Sequence, residues 1–214
     1  MEQIQRLIPL EAIETEILVV NSRFITNLAP AVSAEEARAF IAEIKKRHPA
    51  ATHHVPAFVI GHGNSIITHS SDDGEPSGTA GRPALAVLQG SGLGNVVVVV
   101  TRYFGGTKLG TGGLVKAYGD AVREVLKKVR YAELLPTTTL MIVIPYRLYD
   151  QVVRLMETHF GQVLGTDFLE EVTVTVRFKD EEVEPFTNVL TNLSAGQVEP
   201  IVVEQNPESI FPLT

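Results

Sequence analysis

The chain has 214 residues and a mass of 23.3 kDa, is 44% hydrophobic and 20% charged, and carries a formal net charge of −7. That is the size of one large or two small domains and the balance of a globular chain rather than a disordered one. Cysteine is absent, which excludes disulfides, zinc–thiolate sites, iron–sulfur clusters and cysteine nucleophiles.

No apolar stretch approaches the roughly 20 residues that span a bilayer, and Met1–Leu10 lacks the basic-then-apolar layout of a signal peptide. The reading is a cytoplasmic chain with no membrane partner. From the start, Glu14–Leu28 contains alternating β-prone stretches broken near Asn21-Ser22, a predicted hairpin. Ser33-Ala34-Glu35-Glu36 is a capping box, and the helix behind it carries Ala37, Phe40, Ile41 and Ile44 on one face and stops before Pro49. A strand over His54–Ile60, a turn at Gly61-His62-Gly63-Asn64 and a short return strand over Ile66–His69 follow. A polar loop, Ser70–Pro83, leads into a predicted helix over Pro83–Gln89. Asn95–Phe104 contains the run Val96–Val100, which reads as a strand covered on both faces. After the glycine loop Gly105–Gly113, Leu114, Tyr118, Ala121, Val122, Val125 and Val129 recur at helical spacing.

A composition shift at Leu134-Leu135-Pro136 marks a domain boundary. The remainder reads β-α-β-β-α-β, with strands Thr138–Ile144, Gln162–Phe168, Val172–Phe178 and Val198–Glu204 and helices Arg147–Phe160 and Glu181–Ser194. That order defines a ferredoxin-like sandwich. The expected domains are 1–135 and 137–205, with a tail over 206–214. Charge divides along the same lines: residues 76–131 hold eight Lys and Arg against Asp120 and Glu124, whereas 132–214 hold four against thirteen acids. A basic middle in an acidic chain attracts anions locally, or is only a helix whose basic last turn complements its dipole. Composition leaves both open.

Three stretches have chemistry to offer. In Ser71–Pro83, Asp72, Asp73 and Glu75 are followed by Ser77, Gly78 and Thr79. Such carboxylates can hold a hard cation or move protons, but the spacing fits no EF-hand, and the preferred reading is a turn-rich loop capping the next helix. In Thr101–Leu114 a buried strand enters a loop with Gly105, Gly106, Gly110, Gly112 and Gly113, flanked by Arg102, Tyr103 and Lys108. Free amides and a helix N-terminus favour an anion there, and five glycines exceed what packing needs, so a binding surface is preferred. The loop is neither a Walker A motif nor a dinucleotide fingerprint, and Gly90-Ser91-Gly92-Leu93-Gly94 precedes a strand and reads as a turn. His53-His54, with His62 and His69, can ligate a metal or relay a proton, but is read as structural.

On Ala51-Thr52-His53, on Ser71–Gly81 and on Val99–Tyr118 the chain resembles the IMPACT/YigZ family. Where that family often has Cys two residues after the His, this chain has Val55. The resemblance implies an α/β (α+β) protein: a ribosomal-protein-S5-domain-2-like N-terminal domain, then a small ferredoxin-like domain similar to those of elongation factor G, as in two-domain bacterial members. It also implies a link to translation. Eukaryotic relatives, which share the first domain, bind an activator of a stress kinase, and bacterial members have been linked to nucleic acid or ribosomes. It names no cofactor and no reaction.

The expected function is therefore translation-linked binding or regulation, with RNA, the ribosome, a translation factor or a regulatory protein engaged by the first domain. The acidic second domain would repel a phosphate backbone. The alternative is an enzyme or small-ligand protein using the cleft between loops 72–81 and 102–113. There Asp73 or Glu75 would be acid/base or metal ligand, Arg102 and Lys108 an anion clamp, and His53 a proton carrier. The candidate ligand-binding set is His53, Asp72, Asp73, Glu75, Ser77, Gly78, Thr79, Arg102, Tyr103, Gly105, Gly106, Lys108, Gly110, Gly112 and Gly113, with no catalytic residue and no metal assigned.

Overall fold

The computed structural model describes residues 5–63 and 65–213; Asn64, the last residue of the predicted 61–64 turn, lies outside the described residues, as does the start of the Met1–Leu10 segment. The chain forms two compact units, one of residues 1–133 with 212–214 and one of 134–211.

The first unit is built on an antiparallel five-stranded sheet. Its strands are β2 (Ile13–Val19), β3 (Ser22–Pro30), β4 (His53–Ile60), β5 (Ile67–Ser70) and β6 (Val96–Tyr103), in the order β2-β3-β6-β4-β5. The valine run explains the arrangement. As the central strand, β6 has a layer on each face, so a strand with no polar side is stable there. Val96, Val98 and Val100 pack with Phe24, Leu28, Val55 and Ala57 beneath α2 (Gly81–Gly90) and α3 (Gly110–Leu126). Val97 faces the other way, with Phe58 and Ile60, against α1 (Ala34–Arg47). Each such valine contributes about 1.5–3 kcal/mol on burial. The capping box operates as predicted: Ser33 Oγ accepts from the Glu36 amide at 3.1 Å, while the Glu36 carboxylate accepts from the Val32 amide at 2.9 Å.

The helix α3 starts earlier than the spacing of apolar residues predicts. Gly110, Gly112 and Gly113 form its first turn, so the glycine loop shrinks to residues 104–109. Apolar periodicity cannot detect a helical turn that has no side chains to bury. A short strand, β1 (Leu7–Pro9), also went unread; it pairs with Tyr131–Glu133 at the start of β7 (Tyr131–Ile144).

β7 runs through the predicted boundary at Leu134–Pro136 and continues into the second unit. There it joins β8 (Gln162–Phe168), β9 (Val172–Lys179) and β10 (Ile201–Pro212), with α4 (Tyr149–Thr158), preceded by one 3₁₀ turn at Tyr146–Leu148, and α5 (Asp180–Ser194). The order β10-β7-β9-β8, with β-α-β-β-α-β connectivity, is the ferredoxin-like arrangement. Val172, Val174, Val176 and Phe178 are buried beneath Val152, Met156, Phe186 and Leu190, and the intervening Thr173, Thr175 and Arg177 are partly wet. Residues 206–212, expected as a tail, are the second half of β10, and the Leu213 amide donates to the Tyr131 carbonyl at 3.0 Å.

Candidate functional site

The loop between β5 and α2 is organised by its own acids. Nothing at Ala80, the residue before α2, can cap the helix, and Asp72 does so from eight residues upstream. Its carboxylate accepts from the amides of Gly78 (2.8 Å), Ala80 (3.1 Å) and Gly81 (2.8 Å). Burial alone would raise its pKa. The three amides, helped by the charge of Arg82, outweigh burial and hold it below the usual carboxylate range. Gly81 is glycine because a Cβ would lie 2.7 Å from the Ser71 backbone. Thr79 Oγ1 donates to the Pro76 carbonyl at 2.6 Å, which closes the turn, and Ser77 is exposed.

Asp73 ties this loop to β4 and α1. Its carboxylate accepts from Lys45 Nζ and from the His54 amide, each at 2.7 Å. Burial opposes ionisation, and these two donors prevail, so this carboxyl also titrates low. The Asp73 carbonyl meets His53 Nδ1 at 2.8 Å. A carbonyl only accepts, so Nδ1 carries the hydrogen. His53 Nε2 then faces Glu75 Oε2 at 3.8 Å.

Glu75 is the centre of the cluster. His53 and Arg102 are directly opposite each other on β4 and β6, and Arg102 Nη1 donates to Glu75 Oε1 at 2.6 Å. The same oxygen accepts from the Tyr118 hydroxyl of α3 at 2.8 Å. Arg102 is 5% exposed, Glu75 8% and Tyr118 not at all, so this is a buried ion pair and not a surface one. Arg102 Nη2 donates to Ser22 Oγ at 3.2 Å, and its guanidinium carbon lies 5.4 and 5.5 Å from the ring centres of Phe24 and Phe104. Its Nε is buried without a partner. Burial, and then the neighbouring Glu75 charge, push the Tyr118 phenol far above its usual range, so it remains a donor. Ser22 Oγ also accepts from the Gly105 amide at 3.2 Å.

The structure thus brings together His53, Asp73, Glu75 and Arg102 of the predicted set, with Gly105 joined to Arg102 through Ser22. Arg102 cannot serve as the expected anion clamp while Glu75 neutralises it, and the Gly105 amide is taken by Ser22. Tyr103 turns to the opposite face, where its hydroxyl lies 3.0 Å from His48 Nδ1. Gly106, Lys108, Gly110 and Gly112 are exposed, and Gly113 is half-buried. Leu109 supplies no side-chain cap to α3 and the first turn has no acid, so the start of α3 remains electropositive. Tyr118 was missed. Helical spacing makes Tyr118 one more residue of an apolar stripe, yet a tyrosine in a buried stripe needs a partner for its hydroxyl, which is the signal that points to Glu75. Ser22 and Lys45 carried no comparable signal.

The fold and this cluster define a two-domain α/β protein whose S5-domain-2-like unit is locked around a buried Glu–Arg–Tyr network and is followed by a ferredoxin-like unit. Residues 20–126 match the family described as Impact N-terminal domain, and residues 142–197 match a domain of unknown function, DUF1949. An IMPACT family member of Haemophilus influenzae is 40% identical over 90% of this chain and 94% of its own length. The IMPACT family member YigZ of Escherichia coli is 37% identical over 93% of this chain and 98% of its own. A crystal structure of a hypothetical protein, 36% identical, covers 94% of this chain and 98% of its own with a TM-score of 0.59. The chain belongs to the IMPACT family. Among the described residues no helix is long and apolar enough to cross a membrane.

Proposed function

We propose that the chain is a translation-linked binding protein, engaging RNA of the ribosome or the acidic face of a translation factor through the stretch 104–116 of its first unit. The observation that carries this reading is the start of α3. Its amides are uncapped by any side chain, Lys108 just before them and Lys116 in the second turn are exposed, and Phe104 and Val115 leave 46% and 42% of their surface open. Exposed cations at a helix N-terminus attract phosphate or carboxylate, and a solvent-facing aromatic supplies a stacking or apolar anchor. Membership of the IMPACT family supports the connection to translation. Arg102 serves this face indirectly, by keeping the end of β6 and the Phe104 ring in place.

The experiment is salt-dependent binding of the full chain to ribosomes, before and after nuclease treatment. The double variant Lys108→Ala/Lys116→Ala is expected to lower affinity and flatten the dependence on salt by about two phosphate contacts. Unchanged binding by that variant would remove the face from the interaction. Binding that survives nuclease treatment points to the protein partner.

A further inference from the structure

The second unit has an edge that is unusually open for a chain of this acidity. We propose that the outer edge of β8 docks an extended, basic segment of a partner protein as an added strand.

Among the described residues β8 is the end strand of its sheet and pairs only with β9. Natural proteins blunt such edges with charges, proline, bulges or very short strands. The first unit does so: β2 carries Glu14 and Glu16, ion-paired with Arg47 and Arg23, and β5 has four residues. The other edge of the second unit, β10, contains Pro207, Glu204 and Glu208. β8 has seven residues, no proline and the single charge Asp167. A bulge at Leu164, between Val163 and Gly165, blunts the start of the strand, and Gly165–Phe168 beyond it run in regular register with β9. Its apolar side chains face solvent, with Val163 and Leu164 about half exposed, Phe168 58% and the following Leu169 78%.

These residues do not stand alone. Phe168 packs edge-on against Tyr149 of α4 with ring centres 5.5 Å apart, and Tyr146 donates its hydroxyl to the Leu169 carbonyl at 2.8 Å. The result is an aromatic shelf beside a strand whose outer edge is unpaired. An extended peptide would gain main-chain hydrogen bonds from the strand and side-chain contacts from the shelf. Charge decides which peptide. Asp150, Asp167, Glu170 and Glu171 are neighbours in the chain of these residues, all exposed, and residues 132–214 hold thirteen acids against four bases. Lysine or arginine at alternate positions complements these acids; nucleic acid and a second copy of this acidic unit are repelled by them.

The test uses the full chain and a fluorescein-labelled eight-residue peptide alternating valine and lysine, read by anisotropy at low and high salt. The expected result is binding that falls about tenfold in Asp167→Lys/Glu170→Lys/Glu171→Lys and in Phe168→Ser, with the fold of each checked by circular dichroism. Hydrogen exchange should slow at amides of 162–168 when the peptide is bound, and Lys108→Ala/Lys116→Ala should bind it normally, which separates this surface from the one on the first unit. The proposal is overturned if the peptide does not bind, if a valine–glutamate peptide binds as well, or if protection falls elsewhere. It is equally overturned if an oligouridylate competes for the same amides or if sedimentation shows the edge covered by a second copy.

Discussion

Replacing Arg102 with methionine keeps most of the stem and removes the charge. Glu75, 8% exposed, would keep only the Tyr118 hydroxyl as a donor. Removing one member of a buried ion pair costs about 3–5 kcal/mol, mostly the penalty of the charge left behind. Against a domain stability of about 5–15 kcal/mol, that is a large fraction. Changing Glu75 to methionine as well removes the stranded charge, and what then remains is the Tyr118 hydroxyl without its acceptor, worth about 1–3 kcal/mol. Adding Tyr118→Phe should recover part of that. The single, double and triple variants therefore form a cycle in which the double is more stable than Arg102→Met alone. Urea unfolding followed by amide exchange, unit by unit, is the assay, because the two units have separate cores and a single transition is not assured. Only the first unit should respond. A loss below about 1 kcal/mol for Arg102→Met would refute the reasoning: it would mean that the guanidinium is solvated and free to hold a ligand.

Three further outcomes follow from the same geometry. Asp72 and Asp73 titrate lower folded than unfolded, so their charge stabilises the fold above about pH 4 and that stabilisation fades as pH falls through the folded values; Asp72→Asn should flatten the acid limb of a stability–pH curve, and an unchanged limb would count against the capping role. Gly81→Ala places a methyl 2.7 Å from the Ser71 backbone and should destabilise the first unit by about 1–3 kcal/mol in thermal unfolding, with no loss if the loop is free to yield. Ser33→Ala should cost about 1 kcal/mol through the lost cap of α1, and a neutral effect would show that Glu36 alone holds that end.

Much of the architecture was legible because it follows from local patterns. The valine run of β6 demanded a covered central strand, the alternation over 172–178 demanded a one-sided sheet, and Ser33 with Glu36 marked the start of α1. Where structure and local pattern differ, the physical cause is shared. The first turn of α3 is glycine-rich and β1 is three residues long, so neither leaves a periodic signal. β7 and β10 extend beyond their predicted ends because partner strands, which no local window contains, continue the pairing.

The candidate site divides in the same way. Residue types alone offered carboxylates in the 71–83 loop, a histidine at the start of β4, an arginine near the end of β6 and a glycine-rich loop after it, because composition and spacing are properties of the chain itself. Which groups neutralise one another was decided only by folding. Glu75 and Arg102 are 27 residues apart, and Glu75 and Tyr118 are 43 apart. Only the sheet register that sets His53 opposite Arg102, and the packing of α3 above it, bring the carboxylate, the guanidinium and the phenol to hydrogen-bonding distance in a buried place, where pairing ties up groups that the chain alone offers to a ligand.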